Sequence, residues 1–250
     1  MERFMRYVYR AARKPLLGGI ALLLALCIST LSVPFAAVAA SARMVYRRVV
    51  TEDKVVALTF DDGPHPRYTP MILDILSEYG AKATFFVIGK NMELYGDAAR
   101  RAASEGHEIG NHTYAHPALS GISDAEFERE VLRNEALIEE YTGMPPAVFR
   151  PPEGYCTPSV ERIVTQNGGT VILWNVDTMD WAGCPSDAIV KNVMKNTVPG
   201  SIILFHDYVG KESTTINALK EILPRLSAAG YRFVTVSELI EHATPVSEGD

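Results

Sequence analysis

Cysteine is scarce in this chain, with three residues in 250. No bulky apolar run occurs after residue 41, so nothing beyond that point is expected to span a membrane. No G-x-G-x-x-G follows the first apolar run and no P-loop is present, so nucleotide-binding folds gain no support. Basic residues are the minority, 24 against 30 acidic, for a formal charge of −6. That balance argues against a nucleic-acid partner. The chain has no internal repeat. At 47% hydrophobic and 22% charged, the composition is globular and excludes disorder, low complexity, collagen and coiled coil.

The charge is unevenly divided. Residues 1–40 hold Arg3, Arg6, Arg10, Arg13 and Lys14 against Glu2, and the remaining residues are correspondingly more acidic. Residues 15–41 carry no charge at all; 16–28 form a Leu-rich apolar run, Pro34 follows, and 37–40 read AVAA. A basic start, a short apolar run and a small-residue site make a secretory signal peptide, with an uncleaved membrane anchor as the alternative. Both leave the basic end in the cytoplasm and the later residues outside, either secreted or held at the outer face of the cytoplasmic membrane. Cys27 falls in this segment, so Cys156 and Cys184 belong to the exported part. The expected layout is an export segment over 1–40, a short linker over 41–52, one domain over 53–242 and a polar tail over 243–250.

Apolar runs at 55–60, 83–88, 107–110, 147–150, 170–176, 201–205 and 231–234 read as strands. Between them lie helical patterns. Thr69 caps a helix with Pro70 at its first position, and Gly80 ends it. Ser123 with Glu126 forms a capping-box pattern, Ser186 opens a third helix, and a fourth carries Leu219, Ile222, Leu223 and Leu226 with a bend at Pro224. Strand–helix alternation over this length predicts an α/β fold with a mainly parallel sheet, either doubly wound or a (β/α) barrel.

The ionisable residues of interest all lie just after expected strands. They are Asp61 and Asp62, His112 and His116, Arg150 with Glu153, Asp180 with Trp181, and His206. Each has a plainer reading alone: a turn, surface histidines, a surface cation, an aromatic-capped loop, a core histidine. In a parallel α/β fold, however, the strand C-termini share one face, and the active site is built there. His112 and His116 are four residues apart, so both imidazoles face one way on a helical turn. With one carboxylate they make a His₂Asp set, three protein ligands with a position left for water, which is the pattern of a catalytic zinc site. A second carboxylate is then free to take a proton from that water.

In sequence order, TFDDGP at 59–64, HTYAH at 112–116, RPPEG at 150–154, DTMDW at 177–181 and LFH at 204–206 resemble the five motifs of the polysaccharide deacetylases with the NodB-homology domain, carbohydrate esterase family 4. The resemblance covers about residues 53–242. It implies a distorted (β/α) barrel of fewer than eight units and metal-dependent removal of acetyl groups from N-acetylated glycans, here of the peptidoglycan or chitin type. It implies Asp61 as general base, Asp62, His112 and His116 as metal ligands, Arg150 as the holder of Asp61, and Asp180 as the group orienting a general-acid His206. Trp181 and Leu204 would wall the acetyl pocket, with Glu153, Gly154 and Tyr155 beside the substrate. One divalent ion is expected; zinc suits the ligands, while cobalt, nickel, manganese or iron compete.

Many members carry Tyr where this chain has Glu153, a change that bears on substrate preference. Cys156 and Cys184 each follow a motif, and if the motifs converge, a disulfide would brace the mouth; unpaired thiols are the alternative. Two other functions compete: an O-acetyl esterase acting on xylan-type polymers with the same metal site, and a non-catalytic glycan-binding protein of the envelope. The expected partner in all three is a glycan, with membrane contact only through residues 1–40 and no nucleic acid.

Overall fold

A computed structural model describes residues 45–207 and 214–244. The export segment over 1–40 and most of the polar tail lie outside the described residues. No described helix is long and apolar enough to cross a membrane.

Among the described residues, nine strands form the sheet: β1 (Val45–Tyr46), β2 (Val55–Asp61), β3 (Ala83–Val87), β4 (Glu108–Asn111), β5 (Val148–Phe149), β6 (Thr170–Ile172), β7 (Val176–Asp177), β8 (Ile202–His206) and β9 (Arg232–Phe233). Eight run in the order β1-β6-β5-β4-β3-β2-β8-β7, and β9 pairs with the start of β2. Every ladder between named strands is parallel. The helices are α1 (Tyr68–Glu78), α2 (Gly89–Ser104), α3 (Asp124–Thr142), α4 (Pro158–Gln166), α5 (Ser186–Asn196), α6 (Thr214–Ala228) and α7 (Val236–Glu241). The expected α/β class and distorted barrel therefore hold, and the barrel is open: no ladder among the described residues joins β7 to β6 or β1.

β2 and β3 are buried along their whole length, as expected for strands covered on both faces. Phe60, Phe85 and Phe205 of β2, β3 and β8 stack at centroid spacings of 5.0 and 5.5 Å. They join the apolar faces of α1, α5 and α6 in the largest core cluster. A second cluster fills the other side of the sheet, around Val55, Ala57, Phe86 and Ile202.

Three expectations need correction. The linker over 41–52 is partly built into the fold, because β1 pairs with β6 and Val49 is buried. The strand read over 170–176 is two strands. The Leu173 N–H donates to Tyr46 O on one side, whereas the Asn175 side chain binds Ile202 N and Ser201 Oγ on the other, so the chain leaves β6 and crosses to β8 at Trp174. Thr69 does not cap α1, which begins at Tyr68 with Arg67 before it and no side-chain cap; its hydroxyl is committed to Asp207 instead. Ser123 does cap α3 by accepting from Glu126 N, and Pro224 is carried inside a continuous α6.

Candidate active site

Among the described residues, five that are not glycine have left-handed backbone, a conformation that costs about 1–3 kcal/mol where the surroundings must enforce it. They are Asp62 (φ 73°), Thr113 (67°), His116 (52°), Glu153 (57°) and Met179 (60°). All five follow strand C-termini, at β2, β4, β5 and β7, so the strained backbone gathers at one rim. This rim holds a cleft of about 480 Å³ lined by Asp61, Asp62, His112, His116, Glu153, Trp174, Asp177, Trp181, Leu204 and His206.

Within the cleft, the Nε2 atoms of His112 and His116 lie 3.5 and 3.6 Å from the same oxygen, Asp62 Oδ1. That oxygen is buried and accepts no hydrogen bond. His112 Nδ1 lies 2.6 Å from Arg150 O; a carbonyl only accepts, so Nδ1 carries the proton and Nε2 is left as a lone-pair donor. Burial pushes the His112 pKa down, against the upward pull of Asp61 and Asp62, and so favours the neutral, ligating form. Two nitrogens and one orphaned carboxylate oxygen, all within 4.8 Å of one another, fit a tetrahedral ion. Bonds of about 2.0–2.1 Å place tetrahedral ligands roughly 3.4 Å apart. The observed 3.5 and 3.6 Å are too long for hydrogen bonds and close to that spacing.

Asp61 stands beside this triad in another role. Its Oδ1 accepts from Arg150 Nη1 at 2.7 Å, and its Oδ2 lies 3.8 Å from His112 Nε2. Arg150 is fully buried, and all of its donating nitrogens are committed. Nη1 also donates to Thr59 Oγ1, Nε to Ile172 O and Nη2 to Leu173 O, while the rings of Phe86 and Trp174 lie 4.2 and 5.5 Å from its guanidinium carbon. It is a fixed clamp beneath the cleft rather than a lining residue.

On β8, where His206 pairs in register with Asp61, His206 Nδ1 donates to Asp180 Oδ1 at 2.8 Å, leaving Nε2 to the cleft. Burial alone would lower the His206 pKa. The Asp180 hydrogen bond, with the fields of Asp61, Asp180 and Asp62, outweighs burial and raises it to about 9. Trp181 stands beside the cleft with its indole Nε1 donating to Asp177 at 3.4 Å. Leu204 lines the floor from β8.

Gly154 and Tyr155 are not among the lining residues. The left-handed pair Glu153–Gly154 turns the chain, so that Gly154 packs behind Trp174 and Tyr155 is exposed outside the cleft. The expected disulfide also does not form. Cys156 and Cys184 are free thiols that pack against different core clusters, one beside α3 and α4 and the other on the main cluster. Four residues beyond the sequence reading shape the site. Trp174 and Asp177 line it. Thr215 donates to Asp180 Oδ2 at 2.7 Å. Asp207 is buried beneath the turn after Asp62, where a Cβ on Gly63 would sit 2.2 Å from its carboxylate, and burial pushes its pKa up to about 7. Trp174 could have been found from the break in the 170–177 run; Thr215 has no local signal.

Comparison with known proteins agrees with this geometry. Residues 48–172 match the polysaccharide deacetylase family. A peptidoglycan-N-acetylglucosamine deacetylase of Bacillus cereus is 42% identical over 196 residues, covering 78% of this chain and 92% of that protein. The crystal structure of the Bc1960 peptidoglycan N-acetylglucosamine deacetylase superposes with a TM-score of 0.77 at 36% identity, over 82% of this chain and 95% of that one. A relative described as a carbohydrate esterase family 4 pseudoenzyme from Bacillus anthracis superposes at 0.75 with 30% identity, over 81% of this chain and 70% of that one. That family is metal-dependent in general. The shared fold, the matched residues and a cleft holding a His₂Asp triad together with a clamped carboxylate and a carboxylate-bound histidine place this chain in the polysaccharide deacetylase family, hydrolases of carbohydrate esterase family 4.

Proposed function

We propose that this chain removes N-acetyl groups from a cell-wall-type glycan, with N-acetylglucosamine as the reacting unit, on the outer side of the cytoplasmic membrane. The observation that carries the chemistry is the placing of Asp61 and His206 in one cleft with the Asp62–His112–His116 triad. The basic and then apolar start of the chain supports the location.

Asp62, His112 and His116 would hold one divalent ion, for which zinc suits the ligand set. Such an ion supplies a polarised amide carbonyl and a more acidic attacking water. Asp61, aimed by Arg150, takes the proton from that water as it attacks. A backbone N–H near Glu153 supports the developing oxyanion, while Trp181 and Leu204 enclose the acetyl methyl. His206, charged and held by Asp180, gives its proton to the departing sugar amine. The amine leaves neutral, and acetate leaves as the second product.

The test is acetate release from peptidoglycan, chitooligosaccharides and acetyl-xylan, before and after chelation. Release from the first two, abolished by chelator and restored by added zinc, is the expected result. Release from acetyl-xylan alone would make the chain an O-acetyl esterase, and no release from any of them would make it a binding protein on this fold.

The choice of N-acetylglucosamine rests on charge. Asp61, Asp62, Glu153 and Asp177 all line the cleft, and among the described residues only the Glu153 carboxylate neither accepts from a side chain nor belongs to the triad. A lactyl carboxylate, as on N-acetylmuramic acid, would meet it as a like charge. Exposed pairs are weak, so Glu153→Gln is expected to raise kcat/KM on lactyl-bearing sugars by up to about fivefold and leave chitooligosaccharides unchanged. Equal effects on both substrates would remove Glu153 from selectivity.

A further inference from the structure

Asp180 accepts four hydrogen bonds, two on each oxygen. Oδ1 takes His206 Nδ1 at 2.8 Å and Trp181 N at 2.9 Å; Oδ2 takes His206 N at 2.8 Å and Thr215 Oγ1 at 2.7 Å. The four donors differ in what they can do. Trp181 is the next residue on the same short turn and moves with Asp180. Of the His206 donors, the backbone N–H is fixed in β8 and holds Oδ2 to the sheet, while the ring is the group that must itself be oriented. Thr215 supplies the one other side-chain support, from the first turn of α6, whose Ile216, Ala218, Leu219, Ile222 and Leu223 are buried in the main core cluster. Thr215 and Asp180 are both almost wholly buried, so no water replaces the hydroxyl.

We propose that Thr215 is a positioning residue for the proton donor: its hydroxyl anchors Asp180 to α6 and thereby fixes the direction in which His206 presents Nε2 to the departing amine. This rests on the reading of His206 as general acid given above. The hydroxyl also completes the hydrogen bonding of a buried carboxylate. Without it, Oδ2 keeps only the His206 N–H, and the carboxylate can turn about its own bond and carry the imidazole with it.

The test uses the full chain loaded with zinc and two kinds of substrate. An N-acetylated chitooligosaccharide has a basic amine as leaving group and needs a proton. An aryl acetate such as p-nitrophenyl acetate has a leaving group stable as an anion and needs none. Thr215→Val keeps the shape and removes the hydroxyl; Thr215→Ser keeps the hydroxyl. Thr215→Val is expected to lower kcat on the chitooligosaccharide by about tenfold, the kinetic equivalent of one charge-assisted hydrogen bond, with KM unchanged. Its aryl acetate turnover and bound zinc should equal the wild type, and Thr215→Ser should restore most of the lost kcat. If the Val variant fails to fold, Thr215→Ala must show the same split.

Equal losses on both substrates, or a Ser variant as slow as Val, would reduce Thr215 to a structural role and overturn the proposal. Unchanged kcat on the amide would overturn it as well. A wild type inactive on the chitooligosaccharide would instead overturn the function proposed above, so the two failures are distinct.

Discussion

Asp61→Asn is expected to cut acetate release by about 10²–10⁴-fold, the contribution of a well-placed general base, while leaving one metal ion per chain. The carboxylate is nearly buried and aimed by Arg150 at 2.7 Å. An asparagine fills the same space and can still accept from Arg150, but it cannot take a proton from water. The triad keeps all three of its ligand atoms, because Asp62, and not Asp61, carries the orphaned oxygen between the two histidines. Elemental analysis alongside the rate decides the assignment. Loss of metal in this variant would mean that the roles of Asp61 and Asp62 are exchanged. The substitution should also lower thermal stability, since breaking a buried ion pair by removing one charge costs about 3–5 kcal/mol.

His206→Ala should lower turnover on N-acetyl substrates by about 10²–10⁴-fold, again with metal retained. The wild-type pH profile carries a second signature. With its pKa raised to about 9, His206 is an imidazolium at neutral pH and can donate. Activity on the amide should therefore persist through neutrality and fall as pH rises through the folded pKa. Part of the upward pull comes from Asp61 and Asp62, and a cation bound at the triad would offset that part, so the descending limb of the loaded enzyme should lie below 9. Stability follows the same sign. The pair with Asp180 contributes fully below the unfolded value of about 6.5, and its contribution fades between there and 9. The Ala variant should lose both the descending limb and this part of the stability change. Unaltered turnover on the amide would remove His206 from proton donation.

The chemistry was more legible in the sequence than the frame that holds it. Each functional cluster sits within a few residues of an apolar run, so strand and cargo could be read together at Asp61, His112, Arg150, Asp180 and His206. Helix α2 was not read, because it buries small residues: Gly96, Ala99 and Ala102 with Met92. Its closeness to α3 shows at Gly96, where a Cβ would meet the Tyr141 ring at 2.2 Å. Such a face leaves almost no hydrophobic period in the sequence. Helix α4 was not read either, although a Thr-Pro pair opens it at Thr157–Pro158; the same pair misleads at Thr69–Pro70, where a buried carboxylate 138 residues away claims the hydroxyl. Thr215 was invisible for the same reason: its partner is 35 residues distant and lies on a loop. The cysteines follow converging motifs yet lie in different packing neighbourhoods, which spacing along the chain cannot reveal.

The five left-handed residues at the rim divide the molecule into two mutational territories. Their combined conformational cost is of the same order as the whole net stability of a folded domain, about 5–15 kcal/mol, and the barrel body beneath must supply the difference. Replacing Glu153 or Met179 with glycine would relax the fold and loosen the geometry that orients water, amide and proton donor. Improvement of this protein for endurance therefore belongs below the rim, in the helices other than at Thr215 and in the buried strands short of Asp61 and His206, where added stability underwrites the strain above without touching a reacting atom.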